Sequence, residues 1–168
     1  MRFRIEQRFA HPVETVEDAL FDPNFLTLMA ELPRLGRPQL ISRDENGDTL
    51  RLKVRYAFVG DLSAAVRAVV DPDQLTWVQD ETADRLTHRS RFTILPDHYA
   101  NLLRCSGTFR LDDDGHGGSV RVADGEIRVS VPLLGGKVER AIVSGLEEHA
   151  REEARLVDKW AVQDHPSS

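Results

Sequence analysis

Beyond Pro132 the chain turns to a long helical period, and this one stretch constrains the fold more than any other. Val138, Ala141, Ile142, Gly145, Leu146, His149, Ala150, Leu156, Val157 and Trp160 recur on a broad apolar face. At ~1.5 Å per residue, a helix from about Leu134 to Val162 is roughly 40 Å long. A helix of that length can cross an entire sheet.

The preceding residues carry the pattern of one. Phe3, Ile5 and Phe9 fall on one parity and Arg2, Arg4, Glu6 and Arg8 on the other, the period of a strand with one wet face. Two small helices follow. Pro12 stands where a first helical turn tolerates it, ahead of Val13, Val16 and Leu20. Asp22 and Pro23 then read as N-cap and first residue of a second helix carrying Phe25, Leu28, Met29 and Leu32, until Pro33 stops the run. Pro38 to Phe58 predicts a hairpin reversing at Asn46-Gly47, with Leu50, Leu52, Val54, Tyr56 and Phe58 on its core face. Asp61 to Val70 predicts a short helix through Leu62, Val66, Val69 and Val70.

Four further strands are expected at Gln74–Thr82, Arg85–Leu95, Asn101–Leu111 and Ser119–Val131, joined as an antiparallel meander. In the last of these, Val120 and Val122 share a parity that Ile127, Val129 and Val131 do not. A bulge near Asp124-Gly125 would bring all five to one face.

The length of 168 residues suits one domain over residues 1–162, with 163–168 as a loose tail. Apolar types at 40% and charged types at 30% describe a globular chain with no bilayer-spanning stretch. The balance of 22 Lys+Arg against 28 Asp+Glu, a charge of −6, disfavours nucleic acid as a partner. Cys105 is the only cysteine, which excludes a disulfide scaffold and a zinc ribbon. The N-terminus has no signal-peptide pattern, and with a lone thiol the expected compartment is the cytoplasm.

The glycine-rich segments read as connections. Gly115-His116-Gly117-Gly118 follows three aspartates but precedes a strand, so it predicts a hairpin loop; Gly135-Gly136-Lys137 predicts a strand-to-helix turn. Cys105 reads as a small core residue, and no Ser, His and acid trio, metal site or cofactor site is expected. Two histidines draw interest. His88 shares parity with Leu86, Phe92 and Ile94, and His149 lies on the helical stripe of Gly145, so both are expected to face the space between sheet and helix. There they are either satisfied core residues or polar groups that orient a ligand, move a proton or, given a third ligand that the sequence does not show, bind a metal.

The order of strand, two small helices, six antiparallel strands and one long helix resembles the helix-grip fold of the START-like, or SRPBCC, superfamily. Within it, Val131-Pro132-Leu133-Leu134-Gly135-Gly136-Lys137-Val138-Glu139 resembles an uncharacterised actinobacterial family of short START-like proteins. The resemblance implies an α+β fold in which a curved antiparallel sheet of about seven strands wraps the C-terminal helix. It also implies a cavity for a hydrophobic ligand such as a lipid, polyketide, sterol-like molecule or quinone. A curved sheet and one helix leave a gap unless large side chains fill it, and aromatics are only 7% of this chain. Tyr56, Trp77, Phe92 and Phe109 on the sheet are the expected ligand contacts, together with His88 and with Ile142, Gly145 and His149 on the helix. Three functions fit: a noncatalytic carrier, an aromatase or cyclase-type enzyme using His88, His149 or Tyr56 for proton transfer, and a ligand-free interaction module. The oligomeric state stays open.

Overall fold

The computed structural model describes residues 1–163; the tail expected over 163–168 lies, from 164 onward, outside the described residues. Strand β1 (Arg2–Phe9) leads into helices α1 (Val13–Phe21) and α2 (Pro23–Met29). Six strands follow: β2 (Gln39–Asn46), β3 (Thr49–Ala57), β4 (Thr76–Asp84), β5 (Arg89–Pro96), β6 (Leu103–Asp113) and β7 (Ser119–Val129). The four-residue α3 (Ala64–Arg67) sits between β3 and β4, and α4 (Gly135–Ala161) closes the chain. All strands join one antiparallel sheet in the order β1-β7-β6-β5-β4-β3-β2, a meander whose first strand pairs with its last. This is the helix-grip arrangement.

Local chemistry accounts for the junctions. The Asp22 carboxylate accepts the Asn24 backbone N–H at 2.7 Å and caps α2, with Pro23 as its first residue. Gly47 turns the β2–β3 hairpin at φ 60, a conformation that costs glycine nothing. The β4–β5 turn falls later than the expected Ala83-Asp84. Asp84 accepts the N–H groups of Leu86 and Thr87, and His88 adopts φ 55, so β5 starts at Arg89. The helix expected over Asp61 to Val70 shrinks to one exposed turn capped by Ser63, because its apolar residues find no layer to pack against.

Two further expectations are corrected. No bulge interrupts β7: its register with β6 is continuous from Leu103↔Val129 to Asp113↔Ser119. The change of apolar parity arises because Val120 and Val122 lie on the convex face, where Val122 is covered between its cross-strand neighbours Glu6 and Arg110. Gly125 and its partner Gly107 form a side-chain-free step on the concave face, occupied by the rings of Phe3 and Phe92. Helix α4 is also rotated from its expected setting. Val143, Ala150, Ala154 and Val157 are its buried stripe, while Ala141 is exposed and Gly145 and His149 are half-buried to one side. Small residues let α4 lie close on β1 and β7, and its C-terminal half meets α1 and α2.

Apolar side chains form two clusters. One joins α1, α2 and the end of α4 to Leu50, Leu52, Val54 and Tyr56 of β3; the other joins Phe3, Ile5, Phe92, Cys105 and Ile127 to Val143 and Ala150.

The glycine contacts predict opposite responses to alanine. A Cβ at Gly107 would stand 2.4 Å from the Asp124 carbonyl oxygen, so Gly107→Ala should cost ~1–3 kcal/mol in urea denaturation. At Gly145 a Cβ would meet only Arg34 Nη1 at 3.8 Å, so Gly145→Ala should stabilise by ~0.5–1 kcal/mol through helix propensity. A destabilised Gly145→Ala would contradict the helix setting.

Candidate functional site

Polar side chains lie where the two apolar clusters meet. In α4, Glu153 falls between Ala150 of one cluster and Ala154 of the other. In β4, Glu81 pairs with Phe92 of one and Leu52 of the other. Strand alternation sends Gln7 inward with Ile5 and Phe9, Arg121 with Ile127, and Ser90 with Phe92. The resulting seam is almost dry: the side chains of Glu81, Arg121 and Glu153 are 6%, 10% and 12% exposed.

Arg121 is its centre. The guanidinium stacks 3.7 Å over the Phe109 ring, which itself packs against Phe92 with centroids 4.6 Å apart. Its single hydrogen bond among the described residues is a long one, 3.4 Å to Gln7 Oε1. Glu153 Oε2 stands 3.7 Å away and Glu81 Oε1 3.9 Å, so both carboxylates attract it without bonding to it. Neutral donors hold the carboxylates instead. Ser90 Oγ donates to Glu81 Oε1 at 2.5 Å and Gln79 Nε2 to Glu81 Oε2 at 3.2 Å. Gln7 Nε2 donates to the Ala150 carbonyl at 2.8 Å and to Glu153 Oε2 at 3.1 Å. Among the described residues nothing donates to Glu153 Oε1, and the hydroxyl of Tyr56, a residue 9% exposed, has no hydrogen-bond partner. Burial, then the charges of Glu153 and Glu81, push the Tyr56 phenol above its ordinary range, so it remains a proton donor. Burial alone pushes the Cys105 thiol up to about 11, the state of an unreactive core residue.

Five of the expected contacts occupy the concave side. Tyr56 stacks on Trp77 with centroids 5.9 Å apart, Phe92 and Phe109 pack together, and Ile142 joins their cluster. The remaining three do not meet them. His88 sits in the β4–β5 turn and its Nδ1 lies 3.2 Å from Glu17 Oε1 on α1, while Arg85 bonds Glu17 and Asp18. His149 lines a groove of about 200 Å³ between α4 and Leu32–Arg34, which the Arg34–Glu148 ion pair spans at 2.7 Å, and Gly145 faces the same arginine. The two histidines therefore serve different surfaces. A second pocket reaches from His88 and Glu17 to Glu81, Ser90, Phe109 and Arg121, with about 20 Å³ open to water centres, room for one molecule. Among the described residues no group of three His, Cys, Asp or Glu is placed to hold a metal, and no helix is long and apolar enough to cross a membrane.

The seam's residues were individually visible in the sequence. Gln7 shares the parity of Phe3 and Ile5, and Glu81 that of Trp77 and Ala83; an inserted bulge hid Arg121 by moving it to the outer face.

Comparison with solved structures places the chain in the START-like, Bet v1-like fold class. Thermus thermophilus TTHA0849 superposes with a TM-score of 0.68 at 17% identity, covering 96% of this chain and 97% of that one. Norcoclaurine synthase from Thalictrum flavum gives 0.63 at 15% identity over 98% and 87%. The 18 kDa protein CC1736 from Caulobacter crescentus gives 0.57 at 8% identity over 96% and 95%. Within that class the chain belongs to the family described as protein of unknown function DUF2505, which matches residues 4–161. Comparison with curated proteins finds no match.

The buried phenol supplies a test of the seam. A group that keeps its proton longer when folded contributes stability that is full below its ordinary value of ~10 and is lost as pH rises beyond it. Absorbance at 295 nm should show the tyrosinate step that Tyr56→Phe removes only well above pH 10, or together with unfolding. A removed step centred at 10 would place Tyr56 in water.

Proposed function

We propose that this protein binds and carries a small amphipathic molecule between α4 and the concave face of the sheet. The observation that carries the reading is the underbonded ionic seam. Placing Glu81, Arg121 and Glu153 between apolar clusters costs several kcal/mol of desolvation per ion, and their 3.7–3.9 Å separations give Coulomb attraction without the charge-assisted hydrogen bonds of a well-made buried pair. Groups held so loosely inside a core serve a ligand better than they serve stability.

The apolar part of the site supports the same reading. Helix α4 lies on β1 and β7; Ile94 of β5 and Leu103 of β6 share a cluster with Ile142 and Leu146 of the helix, while Trp77 of β4 packs against the other cluster. All five are half-buried. A ligand body settling there would cover them, with its polar end toward Tyr56, Glu153 and Arg121. The pocket that reaches the seam lies between α1 and the strands and holds one water, so entry of anything larger by that route requires α1 or its lining side chains to shift. Lipids, polyketides, sterol-like molecules and quinones share the required apolar body, and the inert buried thiol suits a cytoplasmic carrier. A catalytic reading is favoured by one observation: Tyr56 stays protonated beside two carboxylates, the composition of a proton-transfer site.

Trp77 is the natural reporter, since it stacks on Tyr56, whereas Trp160 packs edge-on against Phe25 in the α2 region. Titration with a fluorescent apolar probe should saturate at one equivalent and quench Trp77, and fatty acids or polyaromatic compounds should displace it. Trp77→Phe should abolish the quenching while the probe's own signal still saturates. Lack of saturable uptake by folded protein would refute carriage. Mass spectrometry of the recovered ligand separates the two readings: unchanged ligand supports carriage, and conversion that stops in Tyr56→Phe supports catalysis.

A further inference from the structure

The charges inside the seam do not balance. Arg121 is the only cation within salt-bridge distance of Glu81 or Glu153 among the described residues, and it stands between them, one guanidinium for two carboxylates. Among the described residues one oxygen, Glu153 Oε1, accepts no hydrogen bond, and Tyr56, nine-tenths buried on the core face of β3 and under the charge of both carboxylates, has an unpartnered hydroxyl. Arg121 does not cancel the field there, because Glu153 and Glu81 each act on Tyr56 more strongly than Arg121 opposes them.

Resting on the ligand-binding reading above, we propose that the polar end of the ligand is a protonated amine, held at Glu153 Oε1 beside Glu81 and Tyr56. A cation there brings the buried charges to two and two. A primary ammonium is compact and has three donors, which suits a site offering a free carboxylate oxygen and a phenol oxygen. A carboxylate or phosphate head would meet Arg121 only alongside two like charges, and a hydroxyl would leave the second carboxylate unneutralised.

Three probes with one apolar body, decylamine, decan-1-ol and decanoate, decide the point by calorimetry at pH 7 on the whole chain. Decylamine should bind with one-to-one stoichiometry at least tenfold tighter than decanol, and decanoate should bind weakest. Glu153→Gln should remove most of the amine's advantage over decanol. Glu147→Gln, on the exposed side of α4, should change neither and so separates the site from the protein's general negative charge. Decanol or decanoate binding as tightly as decylamine, or Glu147→Gln acting like Glu153→Gln, overturns the amine while leaving ligand binding in place. No saturable binding of any of the three overturns both. The wild-type series alone decides if Glu153→Gln fails to fold.

Discussion

An arginine keeps its charge wherever a fold places it, and here one is placed on the concave face of a curved sheet. Much of the interior follows from that constraint. Phe109 offers its ring to the guanidinium, Gln7 offers its amide oxygen, and Glu81 and Glu153 approach from β4 and α4. The apolar core divides in two around these groups. Each carboxylate then draws a neutral donor of its own, Ser90 or Gln7, from a neighbouring strand. The outcome is a chain of polar contacts linking β1, β4, β5, β7 and α4, rather than a single dry core.

The backbone makes this possible through small residues. Gly107 and Gly125 face each other across β6 and β7, so the rings of Phe3 and Phe92 sit down onto the strands and leave height above Phe109 for Arg121. Ala150 and Ala154 bring α4 close enough for Gln7 to reach the Ala150 carbonyl, which fixes the level at which Glu153 enters. Substituting larger residues at these positions would raise the helix and separate the charges further. The low aromatic content anticipated as a source of empty space is thus used differently: part of the gap is occupied by charged side chains.

Much of the architecture was legible because its signals are local and periodic. The strand parities of β1 and β3, the Asp22-Pro23 helix start, the Asn46-Gly47 turn and the helical period after Pro132 each depend on neighbours in the chain. The site was less legible, since it depends on which face of each element points inward. In the sequence Val120 and Val122 look like core residues, which demands a bulge and turns Arg121 outward; an apolar pair on a convex face has no distinct sequence mark. On α4, Gly145 and His149 stand roughly 140° around the helix from Ala150 and Ala154 at ~100° per residue, with Ile142 and Leu146 between them, and so broad an apolar face does not encode which edge of it is buried. His88 kept an inward parity that the positive φ of its turn made irrelevant.

The account holds that the seam is retained for a ligand and contributes little to folding. Replacing all three ions together, Arg121→Met with Glu81→Gln and Glu153→Gln, removes the charges without leaving any one of them unpaired. Thermal unfolding and probe titration of this triple variant test the account most directly. A melting temperature equal to or above that of the parent, with loss of binding to amine-headed probes, is the predicted result, since replacing a buried ion set by less polar groups is often neutral or stabilising by ~1–4 kcal/mol. A variant that melts far below the parent, or one that binds those probes unchanged, would contradict it.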